Sequence, residues 1–263
     1  MPESDRIFYE LTQLYRSLNL SLKERLALYE NNQALTAKRD DCTLAYSVLC
    51  TVAGDYEKAR NILLQHRFHT YEGGEGNLTQ HHAWLHFLSA RQLLANGDHE
   101  AAKQMLLDGL VFPENYGEEK NYFVNDAPIY LALYELEKDP RYLDLANSTK
   151  GAPTVHSYYQ CLALKKLGQP DAAKALAAQL KSIGENKIKN ADVNDYYGVG
   201  SPAYPPFGYD ISVAHTTDGM ILRAFAALSE GDVDTAKTLA EKITERDSAH
   251  FFLYLLRIAI NEA

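Results

Sequence analysis

The chain has 263 residues, 46% of them hydrophobic, and carries a net charge of −9 from 26 basic and 35 acidic side chains. That balance excludes a disordered polymer, and the lack of a basic cluster excludes a nucleic-acid surface. No apolar run approaches the roughly 20 residues of a membrane span. Met1-Pro2-Glu3-Ser4-Asp5 lacks the basic and apolar regions of a secretory signal.

In chain order, Ile7, Phe8, Leu11, Leu14, Tyr15 and Leu18 recur at helical spacing and predict a helix over 4–18. Ser21-Leu22-Lys23-Glu24 is a capping box that opens a second helix, to about Arg39. Helices are expected at 41–53 and 56–66. Asn77-Leu78-Thr79-Gln80 reads as a further cap, opening a long helix to Asn96 that holds Trp84, Phe87, Leu88, Leu93 and Leu94. A helix at 99–110 pairs with it. Asn125-Asp126 with Pro128 opens the next, to about Lys138, and Asp139-Pro140 caps a short one, to about Asn147. Helices at 154–167, 170–183, 213–230, 233–246 and 248–261 complete a set of about thirteen. No segment shows the alternation of a strand.

Four joints between these helices share one pattern. They read Gly54-Asp55-Tyr56-Glu57-Lys58-Ala59, Gly97-Asp98-His99-Glu100-Ala101-Ala102, Gly168-Gln169-Pro170-Asp171-Ala172-Ala173 and Gly231-Asp232-Val233-Asp234-Thr235-Ala236. Glycine ends one helix in a left-handed cap, Asp or Gln-Pro opens the next, and alanine lets the pair approach closely. A recurring joint of this kind marks a helical repeat array. The joints are unevenly spaced, unlike a strict tetratricopeptide repeat of roughly 34 residues. The predicted fold is therefore all-α: a single right-handed, tetratricopeptide-like helical-hairpin solenoid over 1–263, with long inserted loops on one edge.

Those loops break the helical period and are rich in Gly, Tyr, Asn and acid. The first is His69-Thr70-Tyr71-Glu72-Gly73-Gly74-Glu75-Gly76. The second runs from Pro113 to Val124, and the third from Glu185 to about Ile211. Each follows the second helix of a pair, so in a hairpin solenoid all three emerge at one edge. Aromatic faces beside carboxylates and amides suit a sugar or a peptide. The candidate ligand-binding residues are Tyr71, Glu72, Glu75, Tyr116, Glu118, Asn121 and Tyr209. The competing reading is that the loops merely cover the edge of the array.

Other chemistry has weaker support. Glu72 and Glu75 flank Gly73-Gly74, and paired carboxylates are the equipment of glycoside hydrolysis. Acids in a turn are more often only solvated, so no residue is assigned a catalytic role. The glycines lack the Gly-Lys-Ser/Thr of a phosphate loop. His82 and His86 lie four apart on one helix, half of a zinc site with no evident third ligand, so no metal is assigned. Asp210 reads as a helix cap, and His215 lies close to it. Cys42, Cys50 and Cys161 read as buried thiols, and a reduced state points to the cytoplasm.

The stretch Asp5 to Gln80 holds Leu22-Lys23-Glu24-Arg25-Leu26-Ala27-Leu28, Arg39-Asp40-Asp41 and Arg67-Phe68-His69-Thr70-Tyr71-Glu72-Gly73-Gly74-Glu75-Gly76. It resembles the C-terminal part of a family of large bacterial proteins. That family joins a β-rich N-terminal region, similar to sugar-binding sandwiches, to a tetratricopeptide-like tail. Pro113-Glu114-Asn115-Tyr116-Gly117-Glu118 and Asn125-Asp126 through Tyr130 resemble its next block. The family pattern has Trp where this chain has Tyr71, and the β-rich half is missing here. The resemblance implies carbohydrate-related biology and a chain that is either a separate product or part of a longer one.

The expected function is a non-enzymatic interaction module without a cofactor. Its expected partner is a protein or peptide, or a glycan, or an N-terminal β-rich domain of the same polypeptide, with neither nucleic acid nor membrane involved. The alternative is a carbohydrate-recognising tail whose loops complete a glycosidase-type site in a longer protein.

Overall fold

A computed structural model describes residues 4–69, 74–119, 124–149, 151–193 and 210–263. Among these residues the protein is all-α, with fourteen α-helices and one 3-10 turn. The helices are α1 (Asp5–Ser17), α2 (Leu22–Glu30), α3 (Gln33–Thr36), α4 (Asp40–Val52), α5 (Tyr56–Gln65), α6 (Asn77–Ala95) and α7 (His99–Asp108). They continue as α8 (Ala127–Glu137), α9 (Arg141–Ala146), α10 (Ser157–Lys166), α11 (Pro170–Lys189), α12 (Ile211–Glu230), α13 (Val233–Thr244) and α14 (Phe251–Glu262). Helices adjacent in sequence pack mostly as pairs, α6 with α7, α8 with α9 and α12 with α13.

The four glycine joints form as their residues dictate. Gly54, Gly97, Gly168 and Gly231 all take positive φ, between 73° and 85°. At three of them the next Asp caps the following helix. Asp55, Asp98 and Asp232 accept from the backbone N–H of Lys58, Ala101 and Thr235 at 3.2, 3.1 and 3.0 Å. Such a cap contributes about 1 kcal/mol. Ala59, Ala102, Ala173 and Ala236 are all buried, which is how the paired helices come close.

Elsewhere local chemistry redraws the expected boundaries. The Ser21 capping box forms with both of its bonds. The helix it opens stops at Glu30, because Asn32 donates its side-chain amide to Leu28 O at 2.8 Å and takes a non-helical backbone. An asparagine offering the backbone such a bond competes with the helix. Asn77 is the first residue of α6 and not its cap; Gly76, at φ 78°, holds that position without a side-chain bond. Asp126 precedes α8, but the cap bond runs from Ala127 N–H to Asn125 Oδ1. Helix α11 continues through Gly184 to Lys189, so the helix takes the first residues of the third expected loop.

The chain forms two compact units. Unit 1 comprises Met1–Cys42 and Ala177–Ala263, and unit 2 comprises Thr43–Leu176. The core of unit 2 gathers Leu63, Trp84, Leu85, Leu88, Leu106, Ile129 and Leu133, all nearly inaccessible. In unit 1, Phe8 packs edge-on against Tyr29 at 5.7 Å between ring centroids. Phe225, Ile221, Leu180, Leu253 and Leu256 are buried in the same unit.

Unit 1 also joins residues far apart in sequence. Asn19, at φ 50°, donates to Thr244 O and Glu245 O, both at 3.1 Å, and accepts from Ser248 N–H at 2.7 Å. Arg16 Nε and Arg25 Nη1 grip Asp247 at 3.0 and 2.9 Å. Burial raises the Asp247 carboxyl, but Arg16, then His250 and Arg25, outweigh it and hold the group below the usual carboxylate range. These bonds add to the nearest-neighbour packing of a repeat array.

All three cysteines are free and buried. Burial pushes the Cys42 thiol up to about 12, with a further contribution from Asp41. Among the described residues no helix is long and apolar enough to cross a membrane.

Candidate functional site

The site is built in unit 2, where the chain leaves α5 and where it leaves α7. Helix α5 ends at Gln65, and His66 turns to an extended backbone. The last carbonyls of a helix have no partner within it. Asn115 supplies one, donating its side-chain amide to Leu63 O at 2.9 Å and His66 O at 2.6 Å. Its own carbonyl accepts from Phe68 N–H at 2.8 Å. The segment leaving α5 and the second loop are thus tied together by backbone and amide groups.

A second tie lies just before α6. Glu118 Oε2 accepts from Gly76 N–H at 3.1 Å. Between these ties Gly117 passes so close to Phe68 that a Cβ there would meet Phe68 O at 3.0 Å, and its φ of 66° is itself left-handed. The expectation that the first two loops share an edge holds for the residues described.

Beneath the ties sits an aromatic and imidazole cluster. Tyr116, in the 3-10 turn Glu114–Tyr116, is 1% exposed. Its ring stands edge-on to Phe68 at 5.8 Å and to His82 at 5.4 Å. Phe112 lies 5.2 Å from His82. His82 Nε2 lies 3.2 Å from Asp108 O, a pure acceptor, so Nε2 carries the proton. Its Nδ1 then accepts the Tyr116 hydroxyl proton at 2.9 Å. The neighbouring His86, its ring tilted against that of His82 at 3.9 Å, donates from Nδ1 to His82 O at 2.8 Å.

Burial first, then the charge of His86, lowers His82 to about 3; burial lowers His86 to about 4. Both rings are neutral at pH 7 and act as packed hydrogen-bonding elements. With both nitrogens of His82 engaged, it offers no lone pair to a metal. No group of three His, Cys, Asp or Glu that could hold a metal ion occurs among the described residues.

The candidate residues divide accordingly. Glu75 is exposed and Glu118 half-buried at the tied edge, while Tyr116 lies in the core below it. Tyr71, Glu72, Asn121 and Tyr209 lie outside the described residues. Asp210 caps α12, accepting from Ser212 N–H at 2.9 Å. His215 is buried with Nδ1 at 3.0 Å from Ala191 O. Glu114 and Glu119 are exposed on the same edge as Glu75.

Sequence reasoning missed Asn115, which links the two loops. A signal was available: Asn after Pro-Glu in a turn readily caps a neighbouring backbone. It also missed the buried stack of Trp84 on His156 at 4.6 Å, with Tyr159 edge-on at 5.5 Å. A lone histidine in the first turn of a predicted helix carries no sign of that partner.

Residues 83–107 match the family model of the tetratricopeptide repeat. The match runs from within α6, across the Gly97 joint, into α7, the hairpin that carries His82 and Asp108 at its margins. No solved structure matches the chain.

Proposed function

We propose that the chain is a non-enzymatic interaction module that takes a protein or peptide partner at the tied loop edge of unit 2. The observation that carries this reading is the double tie, Phe68 and Asn115 at one end, Gly76 and Glu118 at the other. It holds Asn115 and Glu118 against Phe68 and Gly76 beside a tetratricopeptide hairpin and leaves Glu75, Glu114 and Glu119 exposed along the edge. Groups already held by such bonds bind without a large ordering cost. Its acids, in a chain of net charge −9, favour a basic or neutral partner.

A β-rich region of the same polypeptide is one such partner under the family resemblance. A glycan is the second reading, favoured by the density of aromatic residues in the loops. With Tyr116 in the core, that reading leans on the remaining aromatics.

The test is binding of fluorescent basic, neutral and acidic peptide pools and of a glycan array. The expected result is saturable binding of basic peptides, weakened about tenfold by joint Glu75→Gln and Glu119→Gln substitution with an unchanged melting temperature. Binding of glycans alone would transfer the edge to the carbohydrate reading. Peptide binding indifferent to both substitutions would move the site elsewhere.

A further inference from the structure

Unit 1 contains a recess of about 20 Å³ lined by Arg16, Ala214, Thr217, Asp218, Arg246, Asp247 and His250. We propose that it binds a small oxyanion, a phosphate or a carboxylate, between Arg16, Arg246 and His250. This goes beyond the loop edge and involves none of its residues.

The charges around the recess, and which of them are already paired, decide what it takes. Asp247 is 7% exposed, and its two oxygens take Arg16 Nε and Arg25 Nη1. Asp218, at the wall, is paired with Lys187 at 3.3 Å. Four cations, Arg16, Arg25, Arg246 and Lys187, therefore stand around two carboxylates. Among the described residues the Arg246 side chain makes no hydrogen bond and no ion pair. Asp247 takes only the Nε–H of Arg16, whose side chain is 51% exposed. In a protein of net charge −9 this is a local surplus of positive charge.

The hydrogen-bonding inventory points the same way. His250 Nδ1 accepts from Phe252 N–H at 3.2 Å, so the ring proton sits on Nε2 and is available to donate. Burial first, and then Arg16, lower this histidine to about 4, so it is neutral at pH 7. Thr217 Oγ1 donates to Val213 O at 2.7 Å, so it has no proton to offer. The acceptors at the wall, Asp218 and Asp247, already face Lys187, Arg16 and Arg25; the uncommitted donors are two guanidinium faces and one imidazole N–H. An acceptor-rich, negatively charged group satisfies them; a cation or a hydroxyl-rich sugar does not. Guanidinium forks match the geometry of carboxylate and phosphate oxygens. The volume accepts one or two such oxygens, so the remainder of the ligand projects outward.

The experiment titrates the full chain with inorganic phosphate, and separately with acetate, by calorimetry and thermal melting. Chloride replaces each anion at matched ionic strength, because phosphate also stabilises proteins through surface exclusion. The variants are Arg246→Gln and His250→Asn; the asparagine keeps an acceptor for Phe252 N–H and removes the Nε2 donor. The expected result is saturable binding of at least one anion, weakened at least about tenfold in Arg246→Gln, whose melting in chloride matches the parent. His250→Asn weakens it less, since a neutral donor contributes less than a charged one. Saturation by phosphate alone assigns a phosphate ligand, and saturation by acetate alone a carboxylate. An anion effect that does not saturate, or one that persists undiminished in Arg246→Gln, overturns the proposal.

Discussion

Gly184 and Gly219 cross so closely that a Cβ placed on either would lie 2.6 Å from the carbonyl oxygen of the other. Both sit inside long helices, α11 and α12, where alanine would otherwise be favoured by about 1 kcal/mol. The neighbour is backbone and cannot swing aside. Gly184→Ala and Gly219→Ala should each therefore destabilise by about 1–3 kcal/mol despite the better helix propensity. Urea midpoints of the two variants check this; a gain in either would mean that the helices separate at little cost.

Asn19 should be the most sensitive polar residue of its loop. Asn19→Ala loses three hydrogen bonds to residues 244–248 and places alanine at positive φ. Asn19→Gly keeps the backbone relaxed and loses only the bonds. The glycine variant should lose about 2 kcal/mol and the alanine variant about 1 kcal/mol more. Equal midpoints for the two would show that the left-handed backbone contributes nothing.

Tyr116→Phe separates a structural role from a ligand-contacting one. The phenyl ring keeps the packing on Phe68 and His82 but removes the proton that His82 Nδ1 accepts. A buried acceptor left unpaired costs about 1–2 kcal/mol. Denaturant unfolding should show that loss with no ligand present, whereas a tyrosine serving only a ligand would leave the midpoint where it was.

Acid should unfold the protein early. Burial lowers His81, His82 and His156 in unit 2 to about 3, and His86 to about 4. In the unfolded chain each titrates near 6.5. The folded state therefore keeps its full stability above roughly pH 6.5. As pH falls from there towards 4 and then 3, the unfolded chain takes up protons that the folded one refuses. Each histidine then removes up to about 1.4 kcal/mol per pH unit. Urea midpoints at pH 7.5, 6 and 5 should fall steadily, and His82→Gln should flatten the fall. A constant midpoint across that window is the contrary result.

What could be read from the sequence was local. A glycine that must be left-handed and an aspartate three residues before the N–H it caps are neighbours in the chain, so all four joints were legible, as was the Ser21 capping box. The break at Asn31-Asn32 was not, because the apolar period runs on and only a side-chain bond to Leu28 interrupts it. Gly184 looked like a place for a helix to end, yet its meaning lies in Gly219 on another helix. Tyr116 reads as an exposed loop aromatic until His82 and Phe68 are brought beside it. The candidate edge was legible in part, through Glu75 and Glu118. The Asn115 bridge and the Arg16, Arg246 and His250 recess depend on partners far along the chain, which no local pattern encodes.

The grip of Asn19 and Arg16 on residues 244–248 bears on how the protein is made. A ribosome delivers the whole of unit 2, residues 43–176, before α13 and α14 exist. Unit 2 is continuous and rich in neighbouring contacts, so it can acquire its structure during synthesis. Helices α1 to α3 precede unit 2 in the chain but lack residues 244–248, to which Asn19 and Arg16 are finally held. Helices α1 to α3 are thus secured only after unit 2 has been delivered, and Asn19 and Arg16 wait for their partners throughout its synthesis.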